Sequence, residues 1–164
     1  MYERIKNLIM TIHNISSQQR LIELAKVFYG LGYKNLVISK ATGTAAQIGI
    51  PEVQKISIKN GGKLIITADL EDAIELIKPN TIILLTQKAY GKTAYKPENI
   101  AEKLSRGLTV MMVIGGLEPG LTSRDLSLGE PTYIQGIEGD LGSVGLATIA
   151  LYELKKHIEN HKTC

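Results

Sequence analysis

The strongest constraint on the fold is an alternation of short β-prone runs with helix-prone segments. Runs rich in β-branched residues occupy positions 7–13, 35–39, 63–67, 81–86, 108–114 and 132–135, a composition typical of strands. Because these runs are apolar almost throughout, neither face of the sheet can be left to water. The pattern predicts an α/β fold in which helices cover both faces of a mostly parallel sheet.

Helical segments are predicted between several of these runs. Ser16 or Ser17 can cap a first helix, which Gly30 or Gly32 ends. Asp69 opens a second helix, and Pro97 lies in the first turn of a third. The first helix is indicated by five apolar residues at helical spacing: Leu21, Leu24, Ala25, Phe28 and Leu31.

Length and composition limit the protein to a few broad classes. With 164 residues, the chain has the size of a single domain, 1–164. No apolar run approaches the roughly 18 residues that span a bilayer, and a signal-peptide core is absent, so we expect a cytoplasmic protein without a membrane segment. Cys164 is the one cysteine, which leaves no cysteine cluster for a metal. A net charge of +3 permits an anionic partner without requiring one.

Glycine is concentrated near the C-terminus, where eight of the sixteen glycines lie between positions 115 and 145. Tight turns alone could explain such a cluster, since glycine accepts positive φ. Gly142 and Gly145, however, stand at the start of a helix otherwise rich in Ala and Leu, where each glycine costs about 0.5–1 kcal/mol relative to alanine. Close packing or a ligand is therefore indicated.

Two common nucleotide-binding motifs are missing. No G-x-G-x-x-G follows the first strand, and Gly91-Lys92-Thr93 lacks the upstream glycine of a phosphate-binding loop. A Rossmann dinucleotide-binding domain and a P-loop NTPase are both disfavoured.

Three segments in order resemble the motifs of the SPOUT superfamily of RNA methyltransferases, most closely its ribose-methylating SpoU branch. Asn14, followed six residues later by Arg20, resembles the first motif. Positions 113–121, Val-Ile-Gly-Gly-Leu-Glu-Pro-Gly-Leu, resemble the second motif, and positions 134–147, continued by Ala-Leu-Tyr-Glu at 150–153, resemble the third. The resemblance extends over nearly the whole chain.

The resemblance implies an S-adenosylmethionine-dependent RNA methyltransferase that methylates the ribose 2′-oxygen of tRNA or rRNA. It also implies a C-terminal trefoil knot, a homodimer and a reaction without a metal. The implied catalytic residues are Arg20, Asn14, Glu118 and Ser143. The implied cofactor-binding residues are Thr86, Gly115, Gly116, Leu117, Ile134, Gly136, Gly139, Leu141 and Gly142.

Departures from the family motifs leave a second interpretation open. The second motif lacks its Asn, Ser143 stands where the family has Asn, and Gly145 stands where it has Ser. A SPOUT-like protein that binds RNA or the cofactor without transferring methyl groups would carry such changes.

A third interpretation is an unrelated α/β domain such as a nuclease. A nuclease needs carboxylates grouped near strand ends, whereas Asp69, Glu71 and Asp72 fit the acidic first turn of a helix. Asp140 similarly fits an N-cap of the last helix.

The loop after the fourth run combines aromatic and basic residues. Tyr90 and Tyr95 could stack on a base while nearby lysines neutralise phosphate. A surface loop without a partner fits the same residues. The lysines are Lys88, Lys92 and Lys96.

Overall fold

A single sheet of seven parallel strands organises the chain, in a computed structural model that describes residues 5–117 and 120–160. The strands are β1 (Leu8–Ile15), β2 (Asn35–Ala41), β3 (Lys63–Thr67), β4 (Thr81–Leu85), β5 (Thr93–Ala94), β6 (Val110–Gly115) and β7 (Glu130–Tyr133). Their order across the sheet is β3-β2-β1-β6-β4-β7-β5, and every pair of neighbours is parallel. The parallel sheet predicted from the apolar runs is confirmed.

Residues 5–117 and 120–160 contain six α-helices, the last of which follows β7. They are α1 (Gln18–Gly30), α2 (Ile50–Lys59), α3 (Leu70–Ile77), α4 (Pro97–Ser105), α5 (Ser123–Leu126) and α6 (Gly142–Asn160), and a single π-helical turn, Ala45–Gly49, leads into α2. None of the helices within the described residues is both long and apolar enough to cross a membrane.

Local capping explains where the predicted helices begin. The Ser17 hydroxyl accepts a hydrogen bond from Arg20 N at 3.2 Å, and an Asp69 carboxylate oxygen accepts one from Leu70 N at 2.7 Å. Pro97 is the first residue of α4, where its missing N–H leaves no donor unpaired. The prediction missed α2 and the two-residue strand β5.

Apolar side chains fill a separate core on each face of the sheet. Leu8, Met10 and Ile12 of β1 point to a large core that α1, α2, α4 and α6 cover. Ile9 points to the opposite, smaller core, which α3 and α5 cover. Successive strand residues face opposite sides, so the mainly apolar character of β1 reflects burial on both faces.

Tyr95 does not belong to an exposed base-stacking surface. Its side chain is buried, and its hydroxyl donates a hydrogen bond to Ala150 O in α6. The prediction that Tyr95 could stack on a base is therefore wrong, because the β5–α4 connection turns this ring into the core. Tyr90 remains exposed in the same loop.

Candidate functional site

A cavity of about 310 Å³ opens beyond the carboxyl ends of β4 and β7. Thr86 follows β4 directly, Ile134 follows β7 directly, and both line the cavity. The segment that leads into α6 closes another side. Ligands of parallel α/β sheets bind at this end of the strands. The other lining residues are Gln87, Lys88, Ala89, Ile137, Glu138, Gly139, Asp140, Leu141, Gly142 and Leu146.

A smaller cavity of about 30 Å³ extends this space toward β6. It shares Thr86 and Gly142 with the larger cavity and is also lined by Gly115, Leu117 and Ser143. The loops after three strands, β4, β6 and β7, thus meet around one region at the start of α6.

Ser143 contributes a polar atom that the described residues leave without a partner. Its Oγ is buried and has no hydrogen-bond partner in this part of the chain. Buried hydroxyl groups are nearly always paired in native proteins. Because Ser143 lines the smaller cavity, the missing partner is accounted for if a polar ligand group occupies that space.

Glycines around the cavities serve two different purposes. A Cβ at Gly139, which lines the larger cavity, would meet no atom within 4 Å, so the bare backbone there leaves open space. Gly142 also has open space around it, and its left-handed φ of 70° favours glycine. A Cβ at Gly115 would lie 2.9 Å from Gly120 C, so the Gly120 backbone packs directly against the end of β6. Gly136 lines neither cavity and has a left-handed φ of 86°, as a tight turn requires.

Gly116 joins the loop after β6 to the end of β1. A Cβ at this position would lie 2.5 Å from Ile15 Cβ and 2.9 Å from Asn14 O. The Gly116 carbonyl accepts a hydrogen bond from Arg20 Nη1 at 2.7 Å. Asn14, Arg20 and Gly116 are therefore neighbours, although 96 positions separate Arg20 from Gly116. Gly116 itself lines neither cavity.

Most of the residues expected at the cofactor site lie at these cavities. Thr86 and Gly142 line both cavities, Gly115 and Leu117 line the smaller one, and Ile134, Gly139 and Leu141 line the larger one. Ser143, which was expected to be catalytic, also lines the smaller cavity. Glu118 lies outside the described residues. Gln87 and Leu146 line both cavities as well, without having been predicted as site residues. No motif contains Gln87.

A separate polar pocket of about 110 Å³ lies beyond the ends of β1 and β2. Its lining combines His13 and Asn14 from β1 with Lys40 from β2. Charged residues of two helical segments complete it, so no short sequence pattern could have revealed the group. These residues are Asp69, Glu71, Arg124 and Asp125.

His13 is the buried centre of this pocket. Its Nδ1 lies 2.8 Å from Ser39 Oγ and its Nε2 lies 3.3 Å from Asp125 Oδ1. Burial lowers the pKa of His13 below its ordinary value, and the positive charge of Lys40 acts in the same direction, although Asp125 and Asp69 oppose the shift. His13 is therefore held mainly as neutral imidazole near neutral pH.

The described residues do not form a metal centre. Within 5–117 and 120–160, no three His, Cys, Asp or Glu side chains are grouped so that they could hold a metal ion.

Solved structures of methyltransferases share this fold. A "probable methyltransferase" from Bordetella pertussis matches with a TM-score of 0.76 and 16% identity, over 96% of this chain and 99% of that one. The SpoU methyltransferase AviRb from Streptomyces viridochromogenes, in complex with the cofactor AdoMet, matches with a TM-score of 0.65 and 12% identity, over 96% of this chain and 60% of that one. A structure described as giving insights into "the 2-OH methylation of C/U34 on tRNA" matches with a TM-score of 0.67 and 15% identity, over 93% of this chain and 97% of that one. The fold is that of the SpoU-type methyltransferases.

Sequence comparison assigns the chain to a family with a different description. The family model "RecB-family nuclease (DUF2122)" matches residues 43–153. "Putative type II restriction enzyme ApeKORF2002P" from Aeropyrum pernix is 34% identical over 89% of this chain and 91% of its own length. "Putative type II restriction enzyme MjaORF1200P" from Methanocaldococcus jannaschii is 29% identical over 94% of this chain and 100% of its own length. The chain belongs to the DUF2122 family.

Proposed function

We propose that the chain is an S-adenosylmethionine-dependent RNA methyltransferase that modifies a ribose 2′-oxygen of tRNA or rRNA. One observation carries the proposal. The cavities formed after β4, β6 and β7 adjoin Asn14 and Arg20 through the Gly115–Gly116 step, so a cofactor site and an acceptor site would be neighbours. Methyl transfer to oxygen depends on such positioning of two reactants.

The larger cavity suits a nucleoside-sized cofactor. At about 310 Å³ it falls at the lower end of the range for small-molecule pockets, and the smaller cavity adds to it. Bare backbone at Gly139 and the unpaired Ser143 hydroxyl both fit a ligand with polar groups. We expect the adenine moiety between the Thr86 and Ile134 loops.

Arg20 and Asn14 would act on the acceptor. When bound, S-adenosylmethionine supplies an electrophilic methyl group. The Arg20 guanidinium uses one N–H for Gly116 O, which leaves further N–H groups to hold the acceptor oxygen and favour loss of its proton. The Asn14 side chain makes no hydrogen bond within the described residues and is free for a second contact.

Calorimetry with S-adenosylmethionine tests the cofactor site. We expect micromolar binding that Gly139→Leu removes, because the new side chain would enter the cavity. Gly30→Leu is the matched control, since a Cβ there also meets no atom within 4 Å but lies at the end of α1. Lack of binding by the unaltered protein at millimolar cofactor would refute the proposal.

Methyl transfer to total RNA tests the acceptor site. Arg20→Ala should abolish transfer of a labelled methyl group and leave cofactor affinity nearly unchanged. Equal activity of the variant would remove Arg20 from the mechanism. Cofactor binding without transfer by the unaltered protein would instead support the inactive, SPOUT-like binding protein.

A nuclease is the second candidate function, favoured by the family description and by the names of the two relatives. The pocket beyond β1 and β2 brings Lys40, Asp69 and Asp125 together, although the described residues do not fit a metal centre. Cleavage of plasmid DNA with Mg²⁺ is the test. Asp69→Asn and Asp125→Asn should both abolish cleavage if this pocket is responsible, and Asn preserves their capping hydrogen bonds.

The proposal extends to a C-terminal trefoil knot and a homodimer. The packing of α6 against both α1 and α4 is compatible with a knotted C-terminus. The homodimer and the cytoplasmic location stay predictions, and sedimentation equilibrium measures the first of them.

A further inference from the structure

Two neighbouring strands have the same unusual backbone conformation at their next-to-last residues. Asn14 of β1 has φ of 60° and Lys40 of β2 has φ of 53°. The register pairs His13 with Ser39 and Ile15 with Ala41, so Asn14 and Lys40 lie opposite each other across the two strands. Left-handed backbone is unfavourable for a lysine, and strained residues that the surrounding structure maintains are concentrated at functional sites.

Lys78 shows what a structural reason for this conformation looks like. It is the third non-glycine residue with a left-handed φ, of 52°, among the described residues. Lys78 ends α3 as its left-handed C-cap, a position where this conformation pairs the last carbonyl groups of a helix. Lys40 ends no helix, so capping does not explain its conformation.

Lys40 is also the one charged residue lining the polar pocket that has no partner within the described residues. Arg124 pairs with Glu71 at 3.0 Å, and Asp125 faces His13 at 3.3 Å. The Asp69 carboxylate caps α3. The exposed Lys40 side chain makes neither an ion pair nor a hydrogen bond there, which leaves a cation available for an anionic ligand.

We infer that Lys40 binds a backbone phosphate of the acceptor RNA and, together with Asn14, positions the acceptor nucleotide beside Arg20. The inference rests on the proposed function. Asn14 connects the two groups, because it lines the polar pocket with Lys40 and its carbonyl lies against Gly116, the hydrogen-bond partner of Arg20. A lysine contributes a point charge that suits a phosphate without reading base sequence.

Binding of an unmodified tRNA transcript over a salt series tests the inference on the full chain. Lys40→Ala should weaken binding several-fold at low salt. It should also reduce the slope of log K against log salt by about 0.7 to 0.9, the value for one phosphate contact. Lys78→Ala is the matched control, since Lys78 is also exposed and left-handed but caps α3 at its far end, just before β4. Equal effects of the two substitutions, or no effect of Lys40→Ala, would overturn the inference.

Glycine variants separate a binding role from a structural one. Lys40→Gly and Lys78→Gly should both raise the midpoint of thermal unfolding, because glycine relieves a left-handed backbone. Only Lys40→Gly should lose RNA affinity. A Lys40→Gly protein that is more stable and binds RNA normally would contradict a phosphate contact.

The remaining outcomes distinguish this inference from the proposed function. Lys40-dependent RNA binding without cofactor binding would refute the methyltransferase and retain the RNA contact at Lys40. If Lys40→Ala weakens the binding of duplex DNA as much as the binding of tRNA, or more, RNA would be overturned as the partner. Absence of tRNA binding by the unaltered protein at low salt would overturn it as well.

Discussion

Tyr33 and Tyr95 donate hydrogen bonds to consecutive carbonyl groups of α6. Tyr33 Oη lies 2.7 Å from Leu151 O, and Tyr95 Oη lies 2.6 Å from Ala150 O. Both rings are buried, and burial raises the pKa of each hydroxyl, so both remain protonated donors. The two tyrosines attach α6, whose first turn lines the cavities, to the segments that follow α1 and precede α4.

Tyr95→Phe should destabilise the fold by about 1 kcal/mol, the usual net contribution of one hydrogen bond. The penalty stays modest because the Ala150 carbonyl keeps its place in the helix. Urea unfolding measures it. Tyr152→Phe is the control, since Tyr152 is 51% exposed on the same helix, and it should change the free energy of unfolding by much less. Equal effects would mean that the Tyr95 hydrogen bond contributes no stability.

Gly116→Ala should destabilise the protein by about 1–3 kcal/mol, as overpacking typically does. The added methyl group would lie 2.5 Å from Ile15 Cβ. Gly139→Ala, where no atom lies within 4 Å, should leave the free energy of unfolding nearly unchanged. Chemical denaturation of both variants measures the difference. An unchanged free energy of unfolding for Gly116→Ala would show that the end of β1 can move to accommodate the methyl group.

Ser143→Ala should have opposite effects on folding and on binding. Its buried Oγ is unpaired within the described residues, so removal of the hydroxyl should leave the free protein equally stable or slightly more stable. Loss of a ligand contact should weaken S-adenosylmethionine binding by roughly 1 kcal/mol, about a fivefold change in the dissociation constant. Thermal unfolding and calorimetry measure the two effects. Unchanged cofactor affinity would exclude Ser143 from the cofactor site.

His13 should make stability depend on pH below about 6.5, the ordinary pKa of histidine. Burial lowers the pKa of folded His13, so the unfolded chain binds the proton more readily. The stability that neutral His13 contributes is complete above the pKa of His13 in the unfolded chain. It is lost as the pH falls through the pKa of His13 in the folded protein. Unfolding free energies from pH 7.5 to 5 measure the loss.

Asp125→Asn should make this pH dependence steeper. Asp125 raises the pKa of His13, and its removal would lower that pKa further, while Asn can still accept the Thr122 N hydrogen bond of the α5 cap. His13→Gln should flatten the same profile. An identical profile for all three proteins would assign the pH dependence to other groups.

The architecture was predictable because its causes are local. Six of the seven strands begin and end within a few residues of the β-branched runs, and Ser17, Asp69 and Pro97 mark helix starts by capping or by a missing N–H. The segment 45–59, with its π-turn and α2, was missed. Gly49 there has a packing role that leaves no local pattern, since a Cβ would lie 3.0 Å from Leu21 Cδ2.

The sequence alone determined an α/β sheet with two buried faces and the glycine-rich approach to α6. Periodicity, capping and glycine composition are properties of neighbouring residues, and a single chain displays them directly. Only the tertiary structure decided that Arg20 contacts Gly116, that Tyr95 is buried against α6, and that Lys40 lies opposite Asn14 with no partner among the described residues. These relationships join residues from separate strands and loops, and the order and register of the parallel strands bring them together.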